Sequence, residues 1–143
     1  MSLSNTLGVI GLGSMGRGAA LSALRRGVAT WGFDLNPAAC ATVAEAGGHI
    51  AGSVGELAAR CRAVQVLVVN AAQTETVLFG DGGVAEHLPR GGVVITSATV
   101  DPTLPPVWAA RLAERGLHLI DAPVSGGAAK AANGEMTVMA SGS

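Results

Sequence analysis

Aromatic side chains are nearly missing from this 143-residue sequence, which has two Trp, two Phe and no Tyr. A core must therefore be built from Ala, Val and Leu, a mix that suits helices packed closely on a sheet of β-branched strands. Cysteine is equally scarce: Cys40 and Cys61 form no CxxC pair and no ligand cluster with the three histidines. A disulfide framework or a metal centre is not expected, and a reduced, cytoplasmic protein is the simplest expectation. The first residues, Met1-Ser2-Leu3-Ser4-Asn5, lack the charged and apolar regions of a secretory signal. No apolar run approaches the roughly 20 residues that span a bilayer, so no membrane segment is expected. An excess of basic charge is absent too. The formal net charge is −1, with Lys and Arg scattered along the chain, which gives no footing for nucleic-acid binding.

What remains is enough for one domain, spanning residues 1–143, with apolar residues making up 49% of the chain. Short apolar runs alternate with helical stretches. Residues 7–10 read as a strand and about 15–26 as a helix, stopped at Gly27, which can take the left-handed conformation. A second strand over 28–33 ends at Asp34. Asn36-Pro37 then opens a helix, a capping side chain followed by proline at the first helical position, and Gly47-Gly48 closes it. A short strand near 49–51 leads to Ser53, a cap for a helix through Cys61. Residues 64–69 form the most continuous apolar run, as for a central parallel strand buried on both faces. A short helix over 73–79, a strand over 93–96, a helix over 102–115 and strands over 117–120 and 136–140 complete the pattern. Strands alternating with helices in this way specify a doubly wound, mostly parallel α/β sheet.

Between the first strand and first helix lies Gly11-Leu12-Gly13-Ser14-Met15-Gly16. In this context each glycine has a physical task. Gly11 allows the sharp turn, Gly13 leaves the backbone open to a pyrophosphate, and Gly16 lets the helix pack tightly on the sheet. The helix start offers unpaired N–H groups and partial positive charge to an anion. This is the signature of a Rossmann-type dinucleotide-binding domain. An ordinary tight strand-to-helix turn is the competing reading.

Asp34, ending the second strand, then selects the cofactor. Its carboxylate can accept hydrogen bonds from the adenine-ribose hydroxyls, each charge-assisted bond being worth about 1.5–3 kcal/mol. Facing a 2′-phosphate it is repelled, by about 4 kcal/mol per unit-charge pair at ~4 Å and an effective dielectric near 20. The following Leu35-Asn36-Pro37 supplies no arginine to offset this. NAD is expected over NADP, unless Asp34 is a solvated or helix-capping residue.

The glycine motif with Met15, followed far downstream by Asp121-Ala122-Pro123-Val124-Ser125-Gly126-Gly127, resembles the β-hydroxyacid dehydrogenase family. The resemblance runs from about Leu7 onward. The segment Ser125-Gly126-Gly127-Ala128-Ala129-Lys130, leading into Gly134-Glu135-Met136-Thr137-Val138-Met139, is most similar to the threonate dehydrogenase branch. The resemblance implies that Gly11, Leu12, Gly13, Ser14, Met15, Gly16 and Asp34 bind the cofactor. It also implies that Asn70 and Ala71 lie in a loop crossing it, and that Thr99 contacts its nicotinamide end. The family pattern has Ser-Thr where this chain has Ala98-Thr99, so only the threonine is carried over; otherwise it is a turn residue. Ser125, Gly126 and Gly127 match the substrate-binding segment, where a hydroxyl and two unhindered backbone amides can hold a carboxylate; the competing reading is a flexible Gly-rich loop. Lys130 replaces the family's usual glycine and can serve the substrate or simply face solvent.

Members of the family are about twice this length, with a catalytic lysine in a helical C-terminal domain. By that comparison this chain is a fragment lacking the last Rossmann strand and the helical domain, and no catalytic residue is assigned to it. The implied activity of the full-length enzyme is NAD-dependent oxidation of a small hydroxy acid: a threonate-like sugar acid first, then 3-hydroxyisobutyrate or glycerate-type acids. A homo-oligomer is implied for the intact enzyme. A non-catalytic nucleotide-binding module and an imine or sugar-phosphate reductase are the other readings. His49, His87, His118, Trp31, Trp108, Cys40 and Cys61 receive no functional role.

Overall fold

A computed structural model describes residues 6–98 and 100–122 in full, and the backbone of residues 124–125, 137–138 and 141–142. The elements run β1 (Thr6–Ile10), α1 (Ser14–Arg25), β2 (Ala29–Phe33), α2 (Pro37–Glu45), β3 (His49–Ile50), α3 (Val54–Arg60), β4 (Ala63–Val66), α4 (Ala71–Phe79), α5 (Val84–His87), β5 (Val93–Thr96), α6 (Leu104–Ala113) and β6 (His118–Asp121), followed by β7 (Val124–Ser125), β8 (Thr137–Val138) and β9 (Ser141–Gly142). The main sheet has the order β3-β2-β1-β4-β5-β6-β9. Its first six strands are parallel, and β9 pairs antiparallel with β6 at the edge. This 3-2-1-4-5-6 order is that of the doubly wound dinucleotide-binding fold, and it reverses direction between β1 and β4.

The period-two alternation of the strands divides the core between two faces. Val9 joins Leu12, Ala20, Ala39 and Val43 on the side of α1 and α2. Ile10, Val64, Val66 and Val94 join Leu57, Leu78, Trp108 and Leu112 on the side of α3 to α6. With so few aromatics, Trp108 is the largest fully buried side chain, and its indole Nε1–H donates to Glu75 Oε2 at 2.9 Å. That bond satisfies the buried donor and ties α6 to α4.

The structure differs from the sequence-based expectation at several points. β4 ends at Val66 rather than at residue 69. Leu67 N–H still donates to Ile10 O at 2.8 Å, but β1 then turns away at Gly11 and β5 has ended at Thr96. No neighbouring strand is left for Val68 and Val69 to extend, and Val69 is 81% exposed. α6 begins at Leu104, after an aspartate turn in which Asp101 Oδ1 accepts from both Thr103 N–H (2.9 Å) and Thr103 Oγ1–H (2.8 Å). The one-turn helix α5 has too short a pattern to read. Residues 137–138, expected as part of a strand over 136–140, pair with β7 in a separate antiparallel ribbon. Among the described residues no helix is long and apolar enough to cross a membrane.

Candidate functional site

The three glycines of the turn after β1 differ in what surrounds them. Gly11 has φ +93°, and a Cβ there would sit 2.5 Å from the Leu67 carbonyl oxygen. A Cβ on Gly16 would overlap the Gly11 carbonyl oxygen. Both are demanded by the fold. Gly13 is different: its φ of −66° suits any residue, and a Cβ there would meet nothing within 4 Å. The protein has no internal need for glycine at this position. An incoming ligand that must reach the backbone does, which is the fit expected of a pyrophosphate.

Gly13 is also the N-cap of α1, with no side-chain capping bond and no acidic residue in the first turn. Asn36, Ser53 and Asn70 each cap α2, α3 and α4 through a side-chain oxygen. The first amides of α1, from Ser14, Met15 and Gly16, are therefore left for an anion. Ser14 is exposed and Met15 half-buried, whereas the Leu12 side chain is buried in the core, so Leu12 offers only its backbone to the site.

That backbone is already engaged. Leu12 N–H donates to Asp34 Oδ2 at 2.6 Å, and Asn36 N–H donates to Asp34 Oδ1 at 2.8 Å. Asp34 is neither free in solvent nor a helix cap; it joins the glycine turn to the turn after β2. Each carboxylate oxygen keeps a second lone-pair direction, enough for the two hydroxyls of a ribose. The Cys40 thiol donates to the Asp34 carbonyl oxygen at 3.4 Å from within α2, steadying the same turn.

Between this corner and α4 lies a cleft of about 430 Å³. Ile10, Phe33 and Val68 line its floor, and Gln73, Thr76 and Val77 line the α4 side, an apolar slot of the kind that takes a planar base. Sequence reasoning missed these residues. The signal was the i, i+3, i+4 spacing of Gln73, Thr76 and Val77, which puts them on one face of the helix expected over 73–79 but does not say what that face looks onto. Asn70 and Ala71 lie at the start of α4, past the C-terminal end of β4. Asn70 is exposed, and its side-chain oxygen accepts from Gln73 N–H at 2.9 Å, so that oxygen serves the helix.

Thr99, Gly126, Gly127 and Lys130 lie outside the described residues, as does the side chain of Ser125, whose backbone forms part of β7. Ser97 is buried at the end of β5 and accepts from Gln65 Nε2 at 3.1 Å. His49 and His118 open β3 and β6, at the end of the sheet opposite the glycine turn. His49 stacks on Trp31 with ring centroids 5.0 Å apart. Among the described residues no group of His, Cys, Asp and Glu could hold a metal ion.

Residues 6–143 match the family described as the NAD binding domain of 6-phosphogluconate dehydrogenase. The chain is 55% identical over 138 residues to L-threonate dehydrogenase of Escherichia coli (strain K12), covering 96% of this chain and 46% of that protein. It is 36% identical over 139 residues to 2-(hydroxymethyl)glutarate dehydrogenase of Eubacterium barkeri, covering 97% and 46%. Among solved structures it resembles 3-hydroxyisobutyrate dehydrogenase from Salmonella typhimurium, with a TM-score of 0.90 and 51% identity over 94% of this chain and 47% of that one. The chain thus spans about half the length of these relatives. With its glycine turn, its aspartate and its strand order in agreement, the chain belongs to the family of NAD-binding domains exemplified by that of 6-phosphogluconate dehydrogenase.

Proposed function

We propose that this chain is the nucleotide-binding half of an NAD-dependent dehydrogenase that reversibly oxidises the hydroxyl of a small β-hydroxy acid. A threonate-like sugar acid is the first substrate, followed by 3-hydroxyisobutyrate or glycerate-type acids. The observation that carries the nucleotide reading is the open space at Gly13 beside uncapped helix amides. The substrate reading is supported by the identity of 50–55% to relatives named L-threonate dehydrogenase.

In this reading the residues of the chain bind and orient. The amides of Ser14, Met15 and Gly16 hold the diphosphate. Asp34 takes the adenosine ribose and disfavours a 2′-phosphate, selecting NAD over NADP. Asn70 and Ala71 border the cofactor past β4, and Thr99 meets its nicotinamide end. Ser125, Gly126 and Gly127 bind the substrate carboxylate through a hydroxyl and backbone amides. The nicotinamide, when bound, supplies the hydride chemistry, and the protein supplies position and field. The intact enzyme is a homo-oligomer in this account. The purified 143-residue chain binds NAD weakly and turns over nothing.

Titration calorimetry of this chain with NAD and NADP tests the binding half. NAD binding at least about ten-fold tighter than NADP is expected, and equal or reversed affinity contradicts the role of Asp34. Turnover of threonate by the chain alone contradicts the assignment of binding without catalysis.

A further inference from the structure

Two polar groups on the α4 wall of the cleft have their hydrogen-bonding roles fixed by the protein itself. Gln73 carries an amide whose two ends look alike in shape but not in chemistry. One end receives the Val69 backbone N–H at 2.9 Å. A backbone N–H can only donate, so that end must be the carbonyl oxygen Oε1. The amide nitrogen Nε2 is therefore the other end, and it has no hydrogen-bond partner among the described residues. Gln73 presents a donor. One turn on, the Thr76 hydroxyl donates its only proton to the Ala72 carbonyl oxygen at 3.0 Å, so Oγ1 has only lone pairs to offer. Thr76 presents an acceptor. The two residues are three apart on one helix, hence neighbours on its surface, and both line the slot.

Resting on the dinucleotide reading above, we infer that Gln73 and Thr76 are a base-reading pair that selects adenine. Gln73 Nε2 donates to a ring nitrogen, and Thr76 Oγ1 accepts from the 6-amino group. Adenine offers an acceptor nitrogen beside that amino donor on one edge. A base with a carbonyl at the 6-position sets an acceptor against the acceptor of Thr76. The ring cannot slide away to re-pair, because Asp34 holds the attached ribose at the other side of the cleft, and the Asp34 carboxylate is itself held by Leu12 and Asn36 N–H groups. The apolar walls give affinity for any flat ring, and the two polar groups say which ring.

The test compares NAD with its hypoxanthine analogue, in which the 6-amino group is a carbonyl, by calorimetry on the full 143-residue chain. The wild type is expected to favour NAD by about ten-fold, the scale of one satisfied hydrogen bond against an unpaired acceptor. Thr76→Val keeps the shape, removes the acceptor, and is expected to bring the ratio below about three-fold. Gln73→Glu keeps an oxygen for Val69 N–H and so keeps the helix start, but it removes the amide donor. It is expected to weaken NAD about five-fold or more with no loss in thermal midpoint. Equal binding of the two dinucleotides by the wild type, an unchanged ratio in Thr76→Val, or unchanged NAD affinity in Gln73→Glu overturns the pair. If the wild type binds neither dinucleotide, the nucleotide reading itself falls.

Discussion

Leu12 and Asp34, 22 residues apart, meet through a 2.6 Å hydrogen bond from the Leu12 backbone N–H to the Asp34 carboxylate. The bond ties the glycine turn to the end of β2, so under the proposed function the residue assigned to the ribose also fixes the loop assigned to the diphosphate. Asp34→Asn replaces one acceptor oxygen with an amide NH2 that faces a backbone N–H. NAD affinity is expected to fall by at least about ten-fold and stability by about 1–2 kcal/mol. The preference against NADP is expected to shrink with the lost charge. Calorimetry and urea melts read the two effects separately.

Trp108 and Glu75 join α6 to α4 behind the cleft. Trp108→Phe keeps most of the buried ring but leaves the Glu75 carboxylate without its donor, and is expected to cost about 1–3 kcal/mol. Trp108→Ala also opens a cavity and is expected to cost about 3–5 kcal/mol. Thermal unfolding of the two variants checks the order, and equal midpoints contradict it.

Burial pushes the Cys61 thiol up from 9.0 to about 12. The neutral thiol is the form the folded protein holds, so its stabilising contribution is complete below about pH 9 and is lost as pH rises toward about 12. At pH 8 an alkylating reagent is expected to modify Cys40, which is half-buried, and to spare the fully buried Cys61 until the protein unfolds. Peptide mapping after brief alkylation, with and without denaturant, checks this.

The sheet and its nucleotide corner are written locally, which is why they can be read from the chain. The Asn36-Pro37 helix start and the Ser53 cap act within a few residues of themselves, and the glycine spacing and the aspartate after β2 are recognised by their places beside strand ends. Where the partner is distant, the sequence is silent. The apolar run through Val69 looks like strand to its end, but the length of β4 is decided by where Ile10 and Thr96 stop. Asn70 marks the start of α4 only once its side chain is seen on Gln73 N–H. The cleft residues Phe33, Val68 and Thr76 come from β2, the loop after β4 and α4, and line one cleft only in the folded chain.

The central claim is that the turn after β1 exists to receive a diphosphate, and Gly13 isolates it. Gly16→Ala forces a Cβ into the Gly11 carbonyl and is expected to destabilise the domain by at least about 3 kcal/mol whatever the ligand. At Gly13 the added methyl meets empty space, so Gly13→Ala is expected to change stability by about 1 kcal/mol or less. The decisive measurement is NAD titration of wild type and Gly13→Ala under conditions where both melt at nearly the same temperature. A loss of at least about ten-fold in NAD affinity is the expected result. Undiminished binding by the folded variant would contradict the account.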